Sequence, residues 1–211
     1  MANPARLRIL VVGGASGTLG KAVATELGQR HAVITAGAKS GDVRFDITDA
    51  ASIVAGLAGA GPLDAVACCA GGAKFAPLSA FAPADLAQSG FALGLTSKLM
   101  GQVNLALAAR DILRDGGSIT LITGVLSEQP IATGASSSMA NGAIEAFARS
   151  AALELPRGLR INVVCPSVFE ESMGKYAPYF RGIEPVPVAR AARAFSRSVE
   201  GHMTGQVFKV F

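Results

Sequence analysis

Apolar residues along the chain fall into short runs, continuous or nearly so, separated by longer stretches in which they recur every three or four positions. A short continuous run is the pattern of a strand buried on both faces, and the wider spacing is that of an amphipathic helix. On this reading residues 7–12, 32–36, 43–45, 63–69, 118–123, 160–165 and 206–210 predict strands. Residues 21–28, 50–59, 96–113, 136–155 and 188–199 predict helices, with a further helical region near 85–93. Thr48 or Asp49 is placed to cap the helix at 50, and Pro156 with Gly158 ends the helix before them. Asp115-Gly116-Gly117 predicts a turn, and 128–134 and the Pro- and Tyr-bearing segment 170–187 predict loops. Strands alternate with helices without a composition break or an internal repeat. That order predicts one α/β domain over 1–211, with a doubly wound parallel sheet of about seven strands and helices on both faces. Ligands of such sheets lie beyond the carboxyl ends of the strands, where the strand order reverses.

The first run leads into Val11-Val12-Gly13-Gly14-Ala15-Ser16-Gly17-Thr18-Leu19-Gly20-Lys21. Gly14, Gly17 and Gly20 recur every third residue between a strand and a helix. Glycine permits the tight turn and the close approach of a pyrophosphate to the backbone, and the helix N-terminus faces the anion. A glycine-rich turn without a ligand has the same spacing, but the strand before and the helix after favour a nucleotide. The expectation is a Rossmann-type dinucleotide-binding domain with Gly14, Ser16, Gly17, Thr18 and Leu19 at the phosphates. An acid at the end of the second strand would favour a free ribose 2′-hydroxyl, and a cation a 2′-phosphate. The segment there, Thr35-Ala36-Gly37-Ala38-Lys39-Ser40, carries no acid. Lys39 and Ser40 therefore point to NADP(H), while Asp42 keeps NAD(H) open. Asp46, with Ile47 after it, either meets the adenine edge or closes a turn.

Composition narrows the classes. Of 211 residues, 50% are hydrophobic and 16% charged, enough for a large core. The net charge of +4 is not gathered into a run, so no nucleic-acid footprint is seen; a basic balance suits an anionic small molecule. The N-terminal apolar run is too short for a signal peptide and no window is apolar enough for a membrane span, so a cytoplasmic protein with no membrane partner is expected. Cys68, Cys69 and Cys165 read as buried free thiols in a reducing compartment. No zinc spacing exists and no metal is expected. His31 and His202 fall on connections, where surface roles suffice.

The chain is similar to the short-chain dehydrogenase/reductase superfamily over nearly its whole length. The matching pieces are Gly14-Ala15-Ser16-Gly17-Thr18-Leu19-Gly20, Asp46-Ile47-Thr48-Asp49, Cys69-Ala70-Gly71-Gly72, Ala151-Ala152-Leu153-Glu154-Leu155, Arg160-Ile161-Asn162-Val163-Val164-Cys165-Pro166 and Thr204-Gly205-Gln206. The glycine spacing resembles the atypical or extended branches, because the usual middle glycine falls on Thr18. The length and the Ser40-Gly41-Asp42-Val43 piece resemble a compact bacterial subgroup. The resemblance implies that Ala70, Gly71, Gly72, Pro166 and Val168 also line the cofactor. It further implies that 170–187 is a short lid over nicotinamide and substrate.

The resemblance also implies a catalytic unit that this chain lacks. The family works with Tyr-x-x-x-Lys on the long helix, a Ser after the fifth strand and an Asn on the preceding helix. Counting back from Ala151-Ala152-Leu153-Glu154-Leu155, the Tyr position holds Ser137 and the Lys position Asn141. The Ser position holds Gly124 and the Asn position Lys98. The exchanged Lys and Asn resemble the ketoreductase domains of modular polyketide synthases, which keep the Tyr. The same residues read locally are a surface lysine and a helix residue near a turn. Ser137 and Asn141 lie four apart on one helix face and would hold a water or substrate oxygen, with Lys98 as proton source or electrostatic stabiliser. Thr123, Ser136 and Ser138 are further hydroxyls nearby, although serines also cap helices. Tyr176 and Tyr179 fall in the expected lid, where one would deliver a phenol or simply pack. Ser167 replaces a family Gly and Glu171 a family Thr; beside a pyrophosphate Glu171 would be repelled, so it is expected to point away.

The resulting expectation is an NADP(H)-dependent oxidoreductase of a small carbonyl or alcohol, with Lys98, Ser137, Asn141 and Thr123 at the reacting end. A dinucleotide-binding sensor or assembly partner with little turnover is the second reading, and a lyase, epimerase or isomerase the third. The Ala-rich helices 96–113 and 136–155 pair across a two-fold axis in the family, which implies a homodimer or homotetramer.

Overall fold

The computed structural model describes residues 6–211; the first five residues of the expected domain lie outside the described part. One sheet of 7 strands runs through it: β1 (Arg8–Val12), β2 (Ala32–Gly37), β3 (Val43–Arg44), β4 (Leu63–Cys68), β5 (Leu113–Ile122), β6 (Arg160–Pro166) and β7 (Val207–Val210). The order is β3-β2-β1-β4-β5-β6-β7, and every pairing is parallel. β1 pairs with β2 in the register Val12↔Ala36 and with β4 in the register Val12↔Cys68. The order therefore reverses at β1 and β4, whose carboxyl ends open the crevice.

Alternation along each strand explains the two buried faces. Leu10 and Val12 of β1 join Ile53 and Leu57 of α2 (Ala50–Ala60), Leu105 of α3 (Gly101–Ile112) and Ile144 of α4 (Ala135–Ala151). Ile9 and Val11 join Leu19, Val23 and Leu27 of α1 (Thr18–Gly28) and Phe195 of α6 (Val188–Glu200) on the opposite face. Each such side chain contributes roughly 1.5–3 kcal/mol by leaving water. Asp49 is the cap of α2, its carboxylate accepting from Ala51 N at 2.9 Å and Ser52 N at 3.2 Å.

Several expected elements differ. In the region near 85–93 only the 3-10 turn Leu86–Gln88 and the last two residues, Ala92 and Leu93, are helical; between them Phe91 packs on the Phe81 ring at 4.6 Å. The stretch from 96 opens as a π-helical turn, Gly94–Met100, before α3. Glycines at both ends of that turn allow it to seat: Gly94 packs under Ser136 and Gly101 under Ile47. Asp115-Gly116-Gly117 lies inside β5 as an irregularity, where pairing jumps from Leu63↔Leu113 to Ala65↔Ser118. α4 ends at Ala151, and Leu153 beyond it is 87% exposed. His31 is buried rather than on the surface: Leu7 N donates to its Nδ1 at 3.3 Å and its Nε2 lies 3.0 Å from Glu200.

The segment after β6 is tied at its neck. Phe169 and Val186 form a parallel bridge, and between them lie the 3-10 turn Glu170–Ser172 and the short helix α5 (Met173–Tyr176). Glu171 points to α6 and caps it, accepting from Val188 N at 3.0 Å. Ser167 donates to Glu184 O at 2.6 Å. Among the described residues no helix is long and apolar enough to cross a membrane.

Candidate active site

The glycine loop is shaped by close approaches. Gly13 adopts φ +85°, and its N–H reaches Ala36 O at 2.7 Å. A Cβ on Gly20 would meet Gly13 O at 2.0 Å, so only glycine lets α1 start against the loop. Gly17 caps α1 without a side-chain hydrogen bond, and the first backbone bond inside the helix is Lys21 N to Gly17 O at 2.9 Å. The N–H groups of Thr18, Leu19 and Gly20 precede that bond and face out of the helix end, the arrangement that receives an anion. Ser16, Gly17 and Thr18 are exposed there, whereas Gly14 and the Leu19 side chain are buried. Gly14 and Leu19 thus contribute backbone and packing.

At the end of β2, Lys39 is exposed and Ser40 half-buried. Asp42 turns back onto its own strand, accepting from Thr35 N at 2.8 Å and Thr35 Oγ1 at 2.9 Å. These bonds hold its carboxyl below the usual carboxylate range. Asp46 makes a comparable turn, accepting from Thr48 N and Thr48 Oγ1 at 2.8 Å each. The Ile47 carbonyl then lies against Gly101, at the start of α3. Beyond β4, Gly71 adopts φ +123° and Gly72 N donates to Ser97 Oγ at 3.2 Å, which seats Ala70-Gly71-Gly72 on the π-helical turn.

That turn delivers Lys98 to a cavity of about 170 Å³ at the carboxyl ends of β5 and β6. Lys98, Thr123, Ser137 and Asn141 all line it, with Gly124, Pro166 and Val168, under Phe75, Tyr176 and Phe180. The four residues singled out for catalysis thus come together from three elements. Ser136 and Ser138 do not line it: Ser136 is packed against Gly94, and Ser138 lines a separate groove with Ile131 and Thr133. Tyr176 reaches the cavity and packs on Phe75 at 6.0 Å, whereas Tyr179 is 47% exposed.

Burial lowers the Lys98 pKa to about 8, against the opposing pull of Cys165, Cys68 and Glu145. Asn141 Nδ2 donates to Gly124 O at 3.0 Å, and its buried Oδ1 has no partner among the described residues. Gly124 is extended, with φ 171°, and a Cβ there would lie 3.6 Å from Asn141 Nδ2. Two residues not anticipated from the sequence support this floor. Gln102 bonds both the N–H and the carbonyl of Ile122, at 2.8 and 2.9 Å, replacing a strand partner beyond the end of β4. Glu145 accepts from Thr123 Oγ1 at 3.0 Å. Its spacing of four from Asn141 was the available signal. Among the described residues no cluster of His, Cys, Asp or Glu is placed to hold a metal, and Cys68, Cys69 and Cys165 are free.

Residues 14–210 match the family described as Enoyl-(Acyl carrier protein) reductase. The structure is similar to that of protein lin1944 from Listeria innocua, with 49% identity, TM-score 0.92, and coverage of 97% of this chain and 100% of that one. A small-chain dehydrogenase in complex with NADPH is 25% identical, with TM-score 0.82 over 98% of this chain and 97% of that one. A short-chain dehydrogenase/reductase from Serratia marcescens shares the fold at 20% identity and TM-score 0.79, covering 100% of this chain and 98% of that one. No curated protein matches the chain significantly.

Proposed function

The chain belongs to the short-chain dehydrogenase/reductase superfamily, and from that membership we propose that it is an NADP(H)-dependent oxidoreductase of a small carbonyl or alcohol. The observation that carries the reading is the meeting of Lys98, Ser137 and Asn141 in one cavity beside the switch point. The residues present fit a dinucleotide: the N–H groups at the start of α1 suit a pyrophosphate, and the orphaned Asn141 Oδ1 leaves an acceptor at the other end. The NADPH held by the 25% identical dehydrogenase supports the same cofactor class here. Lys39 and Ser40, with Asp42 occupied by Thr35, support a 2′-phosphate.

When bound, the nicotinamide supplies or accepts a hydride. The chain supplies the rest. In the reducing direction the Ser137 hydroxyl orients the carbonyl oxygen by donating to it, and the Lys98 ammonium gives that oxygen its proton. Lys98 becomes a neutral amine and regains a proton from solvent, a cycle suited to a group that titrates at about 8. Asn141 fixes the Gly124 carbonyl with its amide N–H, and its free oxygen is an acceptor for the ammonium. The segment 170–187 closes the apolar side of the cavity through Tyr176 and Phe180 and serves as a lid.

We further propose a homodimer or homotetramer. Exposed Leu107 on α3 and half-buried Phe147 on α4 border a groove between the two helices, the placement expected of a self-pairing face. Fluorescence titration with NADPH and NADH tests the cofactor; failure of both to bind overturns the proposal. NADPH oxidation over a carbonyl panel tests the reaction. One observation favours a second reading, a dinucleotide-binding protein with little turnover: Ser137 stands where the family has its Tyr. Tight NADPH binding with no turnover across the panel selects that reading.

A further inference from the structure

Aromatic residues are scarce in this chain, with 10 Phe, 2 Tyr and no Trp. Four of them, Phe75, Phe169, Tyr176 and Phe180, nonetheless line the cavity that holds Lys98. The Phe75 and Phe180 rings lie 6.0 and 6.1 Å from the Tyr176 ring, tilted to it by 46° and 77°. Val125, Leu126 and Val168 pack with these rings and are buried. Most polar groups of the same lining are already committed. Thr123 Oγ1 donates to Glu145 at 3.0 Å, Ser167 Oγ to Glu184 O at 2.6 Å and Asn141 Nδ2 to Gly124 O at 3.0 Å. That leaves the Lys98 ammonium and the Ser137 hydroxyl as donors on the floor, with the neutral hydroxyls of Ser172 and Tyr176 on the lid side. Among the described residues lining the cavity, Lys98 alone is charged.

We propose that the substrate is an uncharged aryl ketone or aldehyde of one ring, its oxygen held by Lys98 and Ser137 and its ring seated among Phe75, Tyr176 and Phe180. A carbonyl oxygen has two lone pairs, and Lys98 and Ser137 offer it two donors. A carboxylate on the same substrate would bring about four more acceptor sites to a place whose remaining donors are two hydroxyls, and a buried charge so poorly paired is costly. Pairing it with Lys98 would take the proton donor from the carbonyl. An alkyl body would cover the same apolar wall, but tilted aromatic pairs add an attraction between ring edge and ring face at spacings of roughly 4.5–7 Å. The cavity volume of about 170 Å³ lies below the roughly 300–1,000 Å³ of most ligand sites, so one ring fits and a fused polycycle does not. In the reaction the carbonyl carbon takes the hydride from the dinucleotide, the oxygen takes the Lys98 proton, and a benzylic alcohol leaves with the dinucleotide oxidised.

This substrate class rests on the oxidoreductase reading, and binding tests it without turnover. In protein carrying ¹³C-labelled Val and Leu methyls, acetophenone is titrated with and without NADP⁺, the Leu126 signals being assigned by their loss in Leu126→Ile. Acetophenone should shift the Val125, Leu126 and Val168 methyls, which line the cavity. Its dissociation constant should lie about threefold to tenfold below that of cyclohexyl methyl ketone, the same skeleton without the aromatic ring. It should lie about tenfold or more below that of benzoylformate, in which a carboxylate replaces the methyl. Equal binding of the cyclohexyl ketone, equal or tighter binding of benzoylformate, or unmoved cavity methyls in both titrations overturns the proposal. Phe180→Leu should lower the preference for acetophenone over the cyclohexyl ketone by about twofold or more. Phe75→Leu should do the same, and it decides the matter if Phe180→Leu does not fold, since Phe75 is only half-buried. A preference left at the parent value in Phe75→Leu overturns the proposal. Carbonyl turnover with NADPH but no preference for aryl compounds removes the substrate class alone; cavity shifts selective for acetophenone without dinucleotide binding remove the oxidoreductase reading alone.

Discussion

Gly71 lies directly on Lys98: a Cβ added to Gly71 would come within 2.9 Å of the Lys98 Cα, and Gly71 holds φ +123°. The loop after β4 and the π-helical turn before α3 therefore fit together only with glycine at this point. Gly71→Ala should cost roughly 1–3 kcal/mol through backbone strain and displacement of the turn. Urea denaturation measures this, and a midpoint equal to the parent's would contradict the fit.

The glycine loop makes a sharper demand at its other end. A methyl on Gly20 has no room beside Gly13 O, so Gly20→Ala should push α1 away from the loop and spread the N–H groups that face the anion. NADPH affinity should fall by about tenfold or more, a loss of roughly 1.4 kcal/mol. Fluorescence titration reads this directly. Lys39→Glu should instead weaken NADPH and spare NADH, since it acts only at the 2′-phosphate.

Lys98 has opposite consequences for rate and stability as pH rises. Its folded value is about 8 against an ordinary 10.5. Carbonyl reduction should decline as pH rises through about 8, because the donor loses its proton. Between the two values the unfolded chain binds more protons than the folded one, so stability rises with pH across that window and the cost of the buried charge is fully present below it. Lys98→Met should lower turnover about 100-fold or more while raising the melting temperature at neutral pH. Tyr176→Phe should keep turnover within about threefold, since Tyr176 is placed as a packing ring. A larger loss in Tyr176→Phe than in Lys98→Met would exchange their roles.

Gly124 offers a contrasting substitution. Its extended backbone suits any residue, and the nearest atom to an added Cβ is 3.6 Å away. Gly124→Ser should fold with stability within about 0.5 kcal/mol of the parent and place a hydroxyl beside Asn141. Thermal unfolding checks the first statement, and the pH–rate profile shows whether the new hydroxyl enters the reaction.

The sheet and the cavity floor were legible in the sequence for different reasons. Strands buried on both faces, such as 63–68, announce themselves as nearly continuous apolar runs, broken in this one only by the half-buried Asp64, because the other residues pack on one side of the sheet or the other. Ser137 and Asn141 could be placed together because helical periodicity holds over a long helix, and Lys98 joined them through the family resemblance. The π-helical turn Gly94–Met100 was not legible: seven residues at a slightly wider period cannot be told from the start of an α-helix. Glu145 and Gln102 escaped for another reason. Their partners, Thr123 and Ile122, lie 22 and 20 residues away in sequence, and only the closed sheet brings them near. His31 was misplaced for the same reason, its partner Glu200 being 169 residues distant.

The bridge between Phe169 and Val186, with Glu171 bound to the start of α6, makes the intervening segment a cassette. Its two ends are fixed to the sheet and to a helix, so changes in length or sequence between them do not propagate into either. Lengthening a loop whose ends are held adds only a slowly growing entropic term. Tyr176 and Phe180 belong to this cassette while Lys98, Ser137 and Asn141 belong to the frame. The aromatic wall of the cavity can therefore be exchanged without moving the polar side chains on its floor.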